Sequence, residues 1–139
     1  MTDKDLLLSQ VNPAIHSNLS YAVALQKKAA EIGFDWPHIH GVIDKIAEEL
    51  QEVSDELRHG ADRERLIDEL GDLLFACCNL ARHLDIDPEQ ALAQCNQKFL
   101  RRFSYVETKV SAQGKTLQDC PLSELDSYWD EAKQREKPD

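Results

Sequence analysis

Apolar and polar positions alternate through most of this chain with the period of an α-helix, and the turns between the periodic runs are short. A first helix is predicted over residues 19–32, carrying Leu19, Ala22, Val23, Ala29 and Ile32 and stopped by Gly33. Gly33-Phe34-Asp35-Trp36-Pro37 reads as a connector, because Pro37 disfavours helix at Trp36 and suits the first turn of the next helix. A second helix is expected over 39–58, ending at Gly60, and a third from an Asp62 cap to Leu84. Asp87 is the expected cap of a fourth helix running from Pro88 to Ala112, and Ser123 that of a shorter last one. Trp36 is expected as a core plug, whereas Trp129, near the chain end, suits a plug or a stacking platform equally. No segment shows strand alternation, so the fold class is all-α, a helical bundle of about five helices. Residues 1–18 form a weakly patterned leader, 19–135 the helical domain and 136–139 a charged tail.

The second and third helices share an unusual layout. With Lys45 set at zero and each residue advancing by about 100°, Glu49 and Glu52 fall within about 40° of that line and Glu56 lies between them. Val42, Ile46, Leu50, Val53 and Leu57 occupy the adjoining arc at roughly 60–140°. On the third helix Leu66, Leu70, Leu73, Leu74 and Cys77 form the apolar arc, edged by Asp68, Glu69 and Asp72. One E-x-x-E pair is most often a solvated face. Two pairs, each hugging an apolar arc on consecutive helices, can converge if those arcs pack antiparallel. Four anions held so close repel strongly, and a cation relieves them. Oxygen ligands without a neighbouring Cys or His favour magnesium, with manganese as a substitute, over zinc.

Composition narrows the partners. The 139 residues carry a formal net charge of −10, which argues against nucleic acid and anionic membranes but not against a nucleotide arriving with a metal. No apolar run reaches membrane-spanning length, and the N-terminus lacks the layout of a signal peptide. Cys77, Cys78, Cys95 and Cys120 have no zinc spacing and suit a reduced protein, so a cytoplasmic location is expected. The fourth helix carries Lys98, Arg101 and Arg102 beside Phe99, Phe103 and Val106. Lys98 and Arg102, four apart, either neutralise the acidic helices or hold phosphates. Lys45 and Arg65, each four residues before an acidic ligand, pose the same choice between ion pair and phosphate contact.

The runs Gly33-Phe34-Asp35-Trp36-Pro37 and Val42 to Glu52 resemble the MazG nucleoside triphosphate pyrophosphohydrolases. So do Asp68-Glu69-Leu70-Gly71-Asp72-Leu73-Leu74-Phe75, Asn79-Leu80-Ala81-Arg82-His83-Leu84 and Asn96 to Phe103. The likeness covers residues 20–135 and is to the second, C-terminal domain of tandem-domain members. The length leaves a stand-alone version or half of a tandem protein as readings. The resemblance implies a homodimer, a magnesium ion held by Glu49, Glu52, Glu69 and Asp72, and hydrolysis of NTPs and dNTPs to monophosphate and pyrophosphate. It also implies that Lys45, Glu48, Arg65, Asp68, Lys98, Arg102 and Trp129 contact nucleotide or support the metal. Glu48, beside Glu49, is a candidate general base, with a supporting role as the alternative. Relatives can carry an acidic residue where Thr116 stands, which leaves base preference open. Two other readings are a phosphoribosyl-ATP pyrophosphohydrolase-like enzyme and a non-catalytic helical interaction module with an acidic metal-binding face.

Overall fold

The computed structural model describes residues 6–138, and among these every regular element is helical. Positions 1–5 of the expected leader and 139 of the expected tail lie outside the described residues. Two short 3-10 turns, Leu7–Gln10 and Pro13–Ile15, precede α1 (Asn18–Ala30). α2 spans Ile39–Arg58, α3 Arg63–His83, α4 Pro88–Ala112 and α5 Leu122–Glu136, with a further 3-10 turn at Leu117–Asp119. The chain forms two compact units, 1–91 and 92–139. No helix among the described residues is long and apolar enough to cross a membrane.

Local chemistry sets most boundaries. Ser17 caps α1 by accepting from the Ser20 amide, and Gly33 turns the chain away after it at φ +88°, a conformation that glycine adopts without Cβ strain. Asp62 caps α3 by accepting from Glu64 N at 3.0 Å, and Asp87 accepts from Glu89 N at 2.9 Å at the start of α4. The last helix departs from expectation. It begins after Pro121, two residues earlier than a Ser123 cap requires, and no side chain caps it. The capping chemistry lies upstream, where Thr116 and Asp119 bond reciprocally around the 3-10 turn. Helix also continues through Glu136, where the tail was expected to begin, because that residue accepts from Arg101 Nε at 2.7 Å and Arg102 Nε at 2.9 Å.

In the first unit α3 is the common wall, with α2 and α1 both packed on it. Val42, Ala76 and Cys78 are buried. The apolar arcs of α2 and α3 are only half used, however. Val42 is 1% exposed, but Leu50 and Leu57 are 57% and 60% exposed, and Leu70 and Leu74 are 49% and 51%. Helical angles alone put all of them on a packed face. A single hairpin of helices buries the near edge of each arc and leaves the far edge open. Trp36 also departs from its expected place as a core plug and is 44% exposed. In the second unit Val106, Val110 and Ala132 are buried, and the rings of Phe99 and Trp129 meet at 5.3 Å between centroids.

Candidate active site

The α2–α3 pair brings Glu49, Glu52, Glu69 and Asp72 together. One carboxylate oxygen from each lies within 4.8 Å of the others. This follows from the i, i+3 spacing on each helix, which stacks two acids on one face, and from packing that sets the two faces against each other. Burial is graded: Glu49 is buried at 4% exposure, Glu52 and Glu69 are half-buried, and Asp72 opens to solvent. Lys45 approaches Glu49 at 2.7 Å and Glu48 at 3.3 Å, so one ammonium offsets part of the charge.

That single cation is not enough. Glu69 and Glu49 beside it push the Glu52 carboxyl up to about 7. Asp72 is also raised, chiefly by partial desolvation of its carboxyl and then by Asp68, Glu49 and Glu69. Oε2 of Glu49 and Oε2 of Glu69 are buried without a hydrogen-bond partner among the described residues. Buried carboxylate oxygens left unpaired are costly, and a divalent cation supplies what they lack. A donor set made wholly of carboxylate oxygens suits a hard ion. The residues therefore fit a metal.

The other candidate residues fall into three groups. Glu48 borders the cluster through Lys45, and Asp68 acts on Asp72 electrostatically. Arg65 stands at the far rim, 3.5 Å from Glu56 and largely exposed, where a recess of about 410 Å³ is lined by Glu52, Asp55, Glu56, His59, Arg65 and Glu69. Lys98, Arg102 and Trp129 belong to the second unit. Lys98 is exposed and makes no ion pair among the described residues. Arg102 pairs with Glu136 and lies 5.8 Å over the Trp129 ring, so its charge is met within the second unit by α5.

Reading the sequence alone misses a second constellation. Asp35 Oδ1 accepts from Arg82 Nη2 at 2.5 Å and lies 2.9 Å from His83 Nε2, so the Gly33–Pro37 connector is fixed to the end of α3. Arg82 and His83 hold the Asp35 carboxyl below its usual range. Both partners stand in family-like motifs, but the separation of 47 positions between Asp35 and Arg82 hides the pairing.

The fold and this cluster define a class: an all-α protein with a carboxylate cluster that could hold a metal ion between two consecutive packed helices. Comparison with known sequences gives the family. Residues 39–106 match the MazG nucleotide pyrophosphohydrolase domain, and the chain belongs to that family. It is 40% identical over 130 residues to the nucleoside triphosphate pyrophosphohydrolase/pyrophosphatase MazG of Thermotoga maritima, covering 94% of this chain and 49% of that protein. It is 43% identical over 119 residues to the nucleoside triphosphate pyrophosphohydrolase of Escherichia coli K12, covering 85% and 45%. A 69-residue stretch is 48% identical to the uncharacterized protein YabN of Bacillus subtilis, covering 50% of this chain and 14% of that one. The chain thus spans about half the length of the first two relatives.

Proposed function

We propose that the protein is a magnesium-dependent nucleoside triphosphate pyrophosphohydrolase that releases monophosphate and pyrophosphate from NTPs and dNTPs. The observation that carries this reading is the convergence of four carboxylates with two buried oxygens unpaired. The names of the relatives from Thermotoga maritima and Escherichia coli support the same chemistry.

Glu49, Glu52, Glu69 and Asp72 would hold magnesium, with manganese as a substitute. Bound there, the ion neutralises phosphate oxygens and acidifies a water, which is the help phosphoryl transfer chiefly needs. The protein's own side chains do the rest. Lys45 orients Glu49 through its 2.7 Å contact, and it presents a cation beside the phosphates. Glu48, bound to the same ammonium and open to solvent, is the proposed general base; it takes the proton from water as that water adds to phosphorus and the bond to pyrophosphate breaks. Asp68 supports Asp72. Arg65, Lys98 and Arg102 are proposed phosphate contacts and Trp129 a nucleotide contact, with Arg102 exchanging Glu136 for substrate.

The half-covered arcs of α2 and α3 support a homodimer, in which a second copy covers Leu50, Leu57, Leu70 and Leu74. Four free cysteines support a reducing, cytoplasmic location. The test is pyrophosphate release across a panel of NTPs and dNTPs with and without magnesium. Metal-dependent release from the ordinary nucleotides is expected, and no release from any of them overturns the reading. Turnover restricted to phosphoribosyl-ATP would reassign the enzyme.

A further inference from the structure

Four carboxylates on the seam between α2 and α3 act to part the two helices, so the first unit needs contacts that hold the seam closed. At one end the chain itself does so, because α2 stops at Arg58 and α3 begins at Arg63 with four residues between them. The opposite end, where α2 begins and α3 finishes, has no covalent tie. Resting on the hydrolase reading above, we propose that Asp35, Arg82 and His83 are positioning residues of the metal site: they close that open end and hold the carboxylates in register before the ion arrives.

Three features carry the assignment. The first is where the contact lies. Asp35 stands four residues ahead of α2, and Arg82 and His83 finish α3, so one carboxylate joins the free ends of both helices. Among the described residues of this unit, the ion pairs of Lys28 with Glu31 and of Lys45 with Glu48 and Glu49 are local, three or four residues apart. The pair of Arg65 with Glu56 lies at the end that the loop already ties. The Arg82 and His83 side chains are only 12% and 14% exposed, so solvent screens their contact with Asp35 less than it screens a surface pair.

The second feature is a rigid path into α2. The Asp35 carboxylate also accepts from the Trp36 amide at 2.8 Å. The Trp36 ring lies against the first turn of α2, so close that a Cβ at Gly41 would stand 2.9 Å from its Cε3. Apolar burial does not fix this connector. Phe34 and Trp36 edge a cavity of about 510 Å³ and remain 77% and 44% exposed, so the polar contacts of Asp35 set its place. The third feature is register. Gly41, Lys45, Glu49 and Glu52 fall within about 80° of one another on α2, and Glu69, Asp72 and His83 within about 60° on α3. Closure and cluster therefore share one stripe on each helix, about 12 Å apart from Gly41 to Glu49 and about 16 Å from His83 to Asp72. Over that length a helix is stiff, and opening its end moves Glu49 and Glu52 away from Glu69 and Asp72. Ligands already in place lose less freedom when an ion binds, so closure raises metal affinity.

Calorimetric titration of the nucleotide-free protein with manganese tests this without turnover. Asp35→Ala should weaken manganese binding about tenfold, the size of loss that follows removal of a group that orients metal ligands without touching the ion. Arg82→Ala should do the same, and the doubly substituted protein should bind within about twofold of either, because the pair acts as one unit. In steady-state assays of Asp35→Ala the magnesium concentration giving half-maximal rate should rise about tenfold, with kcat at saturating magnesium within about twofold of wild type. If circular dichroism shows that Asp35→Ala is unfolded, Asp35→Asn takes its place with an expected loss of about threefold, since a neutral amide keeps a weaker bond to Arg82. A folded Asp35 variant that is less stable but binds manganese as the wild type does marks a merely structural contact and overturns the proposal. So does a fall in kcat with no change in the half-saturating magnesium concentration. Manganese binding without pyrophosphate release by the wild-type protein removes the hydrolase reading, and the same titrations still decide what Asp35 does for the metal site. Absence of manganese binding by the wild-type protein overturns both.

Discussion

Glu52 shows how much one residue's environment decides. In sequence it is one of 26 acidic residues, and in the structure Glu69 and Glu49 raise its carboxyl to about 7. An acid whose folded value lies above its ordinary one binds more protons when folded than when unfolded. Between about 4.5 and about 7 the folded state therefore gains stability as pH falls, and that gain is lost as pH rises through about 7. Metal-free protein should be measurably less resistant to urea at pH 8 than at pH 5.5, with magnesium removing much of the difference; equilibrium unfolding at the two pH values checks this. Glu52→Gln keeps the shape and removes the charge. Its hydrolysis should fall by about 100-fold or more, while metal-free unfolding shifts to equal or higher urea concentration. Retained activity would show that Glu52 does not hold the metal.

At the scale of the elements, the helices owe their limits to capping chemistry that the sequence displays. Asp62, Asp87 and Gly33 stand where the periodic runs begin or stop, and the structure uses each of them. Asp62→Ala should cost about 1 kcal/mol of stability through loss of the bond to Glu64 N, read as a lower urea midpoint with unchanged slope. The carboxylates lie beyond the cap, so magnesium-dependent activity should persist below the unfolding transition. The expected Ser123 cap was displaced because a hydroxyl at a plausible position is a weak signal, whereas Pro121 fixes its own φ and ends the preceding turn. Trp36 was misplaced for a related reason. Aromatic bulk suggests burial, but the Asp35 contacts to Arg82 and His83 hold its connector at the rim of a cavity. No local pattern reports a pairing 47 residues apart.

For the whole molecule the open question is the uncovered part of α2 and α3. Leu57 and Leu74, at 60% and 51% exposed, are apolar side chains of the kind that a second copy covers. Sedimentation or light scattering should give about twice the 15.8 kDa protomer mass. Leu57→Glu and Leu74→Glu should each shift that assembly toward monomer and reduce turnover with it. A wild-type monomer that hydrolyses nucleotide at full rate would show that assembly is dispensable.

By itself the sequence determined five helices, the Asp62 and Asp87 caps and two acidic edges beside two apolar arcs, because helical periodicity and capping are local and act within a few residues. Only the tertiary structure decided that Glu49, Glu52, Glu69 and Asp72 lie within 4.8 Å and that Asp35 fastens the aromatic connector to α3. Those facts depend on how two helices turn toward each other. That rotation is set by the total apolar burial rather than by any one spacing in the chain.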